Sequence, residues 1–255
     1  MPNGNPIDAL YIQTLQKMET TLHFLEAQVP QPQRKPVGDS FVFRYVEQSI
    51  HQAIIQKLAR LTSGLHAARI LLEYGFVQEQ GALHRMLDEF MEDVNFLSFG
   101  VIYSDITELH QSYLDAFYEE EFDNLDDPSA STQKRPMIPR QKIRAYLAKI
   151  KGEGCHDSRM GAVTRTISKA YSGYVHAASP QIMDLYGGYP AHFHVSGMCD
   201  TPIQEAHRAD LWNYFFRGIC TFALAAAAFG SQELSSSIGE YKRQFAEQSG
   251  QDYLL

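Results

Sequence analysis

The side chains whose types and spacing could do chemistry begin with a histidine. Ser168, Ser172 and His176 stand four apart in the segment that runs from Arg165 to His176, so on a helix they share one face, with Tyr171 and Val175 on the adjoining side. An imidazole titrates near neutrality and can take a proton from a ribose 2′-hydroxyl, then return one to a leaving oxygen. A histidine near a helix end can equally do no more than satisfy buried polar groups, and both roles stay open. Arg69 and Glu73 form an i,i+4 pair within the apolar run from Gly64 to Glu73. Such a pair either fixes the packing of its helix or holds Arg69 ready for an anion.

Charge is segregated along the chain. Between Lys134 and Lys169 lie ten basic residues, among them Arg140, Lys142, Arg144 and Arg165, against only Glu153 and Asp157. The stretch Asp105 to Asp127 holds nine acids and no Lys or Arg, in a chain of net charge -8. One reading is a phosphate-binding surface, because Lys and Arg release counterions from a nucleic-acid backbone whatever the net charge of the protein. In the other, the acidic and basic segments face each other. Metal chemistry has less to build on. His192, His194, Cys199 and His207 cluster without a CxxC pair, and Glu153 to His156 is the one ExxH, beside glycines; neither a metal nor a cofactor is expected. No glycine-rich phosphate loop or GxSxG motif is present.

The elements that must position these residues read as helices. Ile7, Tyr11, Leu15, Met18, Leu22, Leu25 and Val29 recur at three- and four-residue steps, and Pro30, Pro32 and Pro36 end that helix. Asp39 or Ser40 is the expected cap of a long second helix through Val46, Ile54, Leu65 and Leu72, with Gly64 as a bend and Gly75 as its close. Leu83 to Leu97 gives a third, and Asp105-Ile-Thr-Glu108 resembles a capping box for a fourth. Asp123 to Pro139 reads as an exposed loop. Pro139 then opens a helix that Gly152 stops, and another covers about Ser158 to His176. Ser179-Pro180 and Thr201-Pro202 mark two further starts, Gln204 completing a box-like signal at the second. Leu211 to Phe229 is nearly all apolar, but Arg217 near its middle favours the buried centre of a bundle over a membrane span. Ser231 opens a final amphipathic helix. No period-two run demands a sheet, so the expected fold is all-α: a single helical domain, residues 1–255, around a central apolar helix near the C-terminus.

Composition agrees with a soluble domain: 44% hydrophobic and 20% charged residues over 255. The three cysteines, Cys155, Cys199 and Cys220, form no disulfide framework, which fits a cytoplasmic location.

The Ala-Ala-Arg-Ile-Leu-Leu-Glu run ending at Glu73, followed by Tyr171-Ser-Gly-Tyr-Val-His176 and a Ser-Pro turn, resembles uncharacterised bacterial helical domains related to the HEPN superfamily, over roughly Ser63 to Tyr186. The resemblance implies a small, usually dimeric bundle. Many of its members are metal-independent endoribonucleases of toxin, antiphage and RNA-processing systems, and others are non-catalytic. On the nuclease reading His176 is the acid–base group. Arg165, about three helical turns upstream, or Arg69 stabilises the phosphorane, Glu73, Tyr171 and Ser172 orient the site, and Arg140, Lys142 and Arg144 hold RNA. Arg69, Glu73 and His176 are then expected to meet in the core. The alternative is a non-catalytic interaction or ligand-binding module.

Overall fold

The computed structural model describes residues 6–124, 127–132, 134, 136–152 and 170–251. Helix dominates. α1 (Pro6–Glu26), α2 (Ile50–Glu73), α3 (Val77–Ile102), α4 (Glu108–Tyr118) and α5 (Arg140–Gly152) are followed by α6, described over 170–175, the short α7 (Ser179–Met183), α8 (Pro202–Ala228) and α9 (Gln232–Ser249). Two small antiparallel ribbons accompany them, β1 (Gln33–Val37) with β2 (Ser40–Arg44), and β3 (Tyr186–Gly187) with β4 (His192–Phe193).

At the centre α2, α3 and α8 each pack against the other two, while α1 and α9 cover one side of α8 and α5 lies on α3. α8 is buried on two faces, as its near-continuous apolar sequence requires: Leu211, Phe215, Ile219, Phe222 and Ala225 are all inaccessible or nearly so. Phe215 stacks on Tyr11 of α1 at 4.2 Å and Trp212 lies against Phe245 of α9 at 5.8 Å. No helix among the described residues is long and apolar enough to cross a membrane.

Local signals account for the helix ends, with some corrections. Thr201 caps α8, accepting from the Gln204 N–H, and Gln204 answers by accepting from the Asp200 N–H at 2.8 Å. α2 starts later than expected. Ser49 is its cap, in a reciprocal box with Gln52, whereas Ser40 begins a strand and Asp39 sits in the turn before it. Nor does Gly64 bend the helix. α2 runs unbroken through it, and a Cβ there would lie 2.6 Å from the Leu87 side chain, so the glycine permits the close approach of α2 and α3. Thr107, not Asp105, caps α4, paired with His110 in place of an acid. Between Asp123 and Pro139 the described residues are mostly exposed, with one 3₁₀ turn at Pro128–Ala130.

Candidate functional site

α3 carries Gln80, His84 and Asp88 at four-residue steps, and α8 carries His207, Asp210, Tyr214 and Arg217 at steps of three and four. Those spacings place both sets on stripes that the bundle turns toward each other. The Arg217 guanidinium meets Asp88 at 2.7 Å and the Tyr214 hydroxyl donates to the same carboxylate at 3.1 Å. His207 shares a hydrogen bond with the Gln80 side chain at 2.9 Å. Above them lies α6. A Cβ on Gly81 would stand 2.9 Å from the Tyr174 ring, so α6 sits directly on the α3 backbone at that point. The Tyr171 hydroxyl donates to Asp210 and that of Tyr174 to Asp184, the latter at 2.9 Å.

His84 occupies the middle of this cluster, fully buried, stacked on Tyr214 at 4.0 Å with Tyr171 edge-on at 5.2 Å. Among the described residues neither ring nitrogen has a hydrogen-bond partner. Burial first, then the neighbouring His207 and Arg217, holds its pKa well below the usual 6.5, so the ring is neutral. Burial likewise lowers His207, opposed by Asp210 and Asp184. It raises Asp88 despite the Arg217 charge, and it raises Tyr171 and Tyr214 further, helped by their carboxylate partners. The result is a neutral aromatic and histidine layer closed by one ion pair, which fixes the packing of three helices.

The residues singled out from the sequence are dispersed around this layer. Tyr171 belongs to it, and Ser172 is half-buried beside it. His176 is exposed at the end of α6, its backbone N–H donating to the Ser172 carbonyl at 3.2 Å. Arg69 is tied to Asp8 of α1 at 2.8 Å, with Glu73 at 3.8 Å. Glu73 is largely exposed, and among the described residues no hydrogen bond or ion pair joins either residue to His176. The expected meeting of Arg69, Glu73 and His176 in the core therefore does not occur, because two of the three are solvated. Arg165, with Ser168, Arg135, Arg159, Lys169, Cys155 and the Glu153–His156 pair, lies outside the described residues.

The basic segment turns inward at α5. Arg140 bonds Asp93 and also Glu92, the latter at 2.6 Å; Arg144 bonds Glu92 at 2.9 Å; Lys57 of α2 reaches Asp93 at 2.8 Å. Asp93 is nearly inaccessible and needs these cations, so Arg140 and Arg144 fasten α5 to α3. Among the described residues the acids that receive them, Glu92 and Asp93, belong to α3. Lys142 and Lys149 point to solvent. Among the described residues no group of three or more His, Cys, Asp or Glu is placed to hold a metal ion.

The buried layer was missed by sequence reasoning, although the polar stripes Gln80/His84/Asp88 and Asp210/Tyr214/Arg217 in otherwise apolar helices were signals for it. No family model, curated protein or solved structure matches this chain.

Proposed function

We propose that the chain is a non-catalytic interaction module, a stiff helical body that presents exposed surfaces to a partner. One observation carries this reading: among the described residues, four arginines that could bind or activate a phosphate are engaged within the fold. Arg140 and Arg144 meet Glu92 and Asp93, Arg69 meets Asp8, and Arg217 meets Asp88. A guanidinium already bonded to a buried carboxylate is costly to withdraw.

A second reading is favoured by the exposure of His176, which leaves its imidazole accessible to a substrate. On that reading the chain is a metal-independent endoribonuclease of a toxin or antiphage system, His176 acting as acid and base. The resemblance to the HEPN superfamily accommodates both, since that group includes nucleases and non-catalytic members. A cytoplasmic location suits either.

One assay separates the two. RNA incubated with folded protein in a chelator is expected to stay intact. Cleavage that leaves a 2′,3′-cyclic phosphate, spares DNA and disappears in His176→Ala would overturn the module reading and establish the nuclease. A homodimer belongs to the same proposal through the resemblance. Light scattering is expected to give twice the chain mass, and a monomer at every concentration would remove it.

A further inference from the structure

The β3–β4 hairpin sets two histidines side by side. His192 and His194 stand two apart along the chain, so on a strand they rise from one face. Pairing holds both in place: His192 is opposite Gly187, and the His194 N–H donates to the Leu185 carbonyl at 2.8 Å, which carries the pairing one residue further. On the other face Phe193 meets Tyr186 edge-on at 4.9 Å. The two imidazoles are 4.4 Å apart between ring centres. Their edges converge over Gly188, where a Cβ would stand 3.2 Å from His194 Nε2 and 3.6 Å from His192 Cε1. Gly187, opposite His192, keeps the face beside the rings open: among the described residues its Cβ would meet nothing within 4 Å.

Independently of either functional reading, we infer that His192 and His194 chelate one divalent transition-metal ion of tetragonal preference, copper(II) or nickel(II). The donors select it. His192 Nδ1 lies 2.8 Å from the Pro190 carbonyl; a carbonyl only accepts, so Nδ1 carries the proton and Nε2 keeps its lone pair for a metal. Metal-bound imidazoles are oriented by the same kind of bond. Among the described residues no hydrogen bond takes up a ring nitrogen of His194. The spacing selects the angle. With metal–nitrogen bonds of about 2.0–2.1 Å, two imidazoles at right angles around one ion have ring centres about 4.5 Å apart, and at the tetrahedral angle about 5.2 Å. The observed 4.4 Å is that of the right-angled pair. No third His, Cys, Asp or Glu joins the two among the described residues, which sets aside a four-ligand zinc site and the oxygen-bound magnesium and calcium ions. Two adjacent nitrogens completed by water are a tetragonal nitrogen and oxygen set. His192-Phe-His194 needs no CxxC partner for that role. An anion would instead require a charge on both rings, 4.4 Å apart, where they repel.

The test is a calorimetric titration of the full chain with copper(II) at about pH 7.5, where imidazole is neutral, with electron paramagnetic resonance of the sample at one equivalent. One site tighter than any other is expected, its spectrum tetragonal and split by two nitrogens. His192→Ala and His194→Ala should each weaken that site by about one hundredfold, the order of gain from joining two donors in one chelate, and leave a single nitrogen on the ion. His23→Ala and His66→Ala, which remove exposed imidazoles from α1 and α2, should leave it unchanged. Neither histidine of the pair belongs to the hydrophobic core, so thermal unfolding of the metal-free variants should match the parent chain. The parent chain also reports the site without substitution: copper(II) below one equivalent should broaden the ring resonances of His192 and His194 before those of other histidines. A tightest site that survives both alanine variants, a single-nitrogen spectrum in the parent, or broadening spread evenly over the exposed histidines would mean an adventitious ion only and overturn the proposal, as would displacement of copper(II) by excess magnesium.

Discussion

Arg217→Met is expected to lower the unfolding free energy by about 3–5 kcal/mol, the range for removing one partner of a buried ion pair. The cause is Asp88. Its carboxylate is inaccessible to water and rests on Arg217 at 2.7 Å and the Tyr214 hydroxyl at 3.1 Å; without the guanidinium a buried charge is left with one neutral donor. Methionine keeps much of the length and apolar volume of the arginine stem, so the loss reports charge more than packing. The companion variant Asp88→Asn with Arg217→Met should recover most of the stability, since the amide oxygen still accepts from Tyr214 and no charge remains to be neutralised. Urea unfolding of the two singles and the double closes the cycle. A single Arg217→Met loss below about 1 kcal/mol would show that the pair is solvated, as exposed pairs are.

That ion pair also shows how far the sequence could be read. The apolar length of Leu211 to Phe229 is legible because a helix buried on two faces must be apolar nearly all round, and an arginine inside it implies a buried acid. Which acid is not legible: Asp88 lies 129 positions before Arg217, and only the packing of α3 on α8 joins them. Capping at Thr201 was readable since it depends on residues three apart. The β1–β2 ribbon was missed although Gly38-Asp39 is a two-residue hairpin signal. Its strands lack the half-buried alternation that identifies a strand, since Phe41, Val42 and Phe43 follow one another and, among the described residues, no ribbon side chain belongs to the hydrophobic core. The role of Arg140 and Arg144 was not legible for a related reason. Composition shows a cluster of cations, but only tertiary structure shows that Glu92 and Asp93, one turn of α3, receive Arg140 and Arg144.

Acid should weaken the fold through the buried histidines. His84 and His207 both have folded pKa values lowered by burial, from an ordinary value of 6.5. Above about pH 6.5 each is neutral in the folded and unfolded chain alike, and the native stability is complete. As pH falls below 6.5 the unfolded chain takes up protons that the folded chain refuses, so stability drops until the folded pKa is reached. The slope contributed by each such histidine approaches about 1.4 kcal/mol per pH unit. The groups around His84 set its share: Tyr171 from α6, Tyr214, Arg217 and His207 from α8, and Asp88 from α3 itself. Arg217 and a protonated His207 both oppose a charge on the ring. Asp88, whose own pKa is raised by burial, acts with the opposite sign, gaining stability on protonation at lower pH. His84→Phe isolates the histidine because every other group remains. The phenyl ring can keep the stack on Tyr214, and no hydrogen bond among the described residues is lost, since neither imidazole nitrogen has a partner there. At about pH 8 the variant should lie within about 1–3 kcal/mol of the parent, the range for added bulk in a packed core. Between about pH 6.5 and 5 the parent should lose stability faster than the variant, so that the two urea-derived curves converge or cross. Parallel curves through that window would show that His84 takes its proton as readily in the fold as outside it, and that the layer between α3, α6 and α8 admits water.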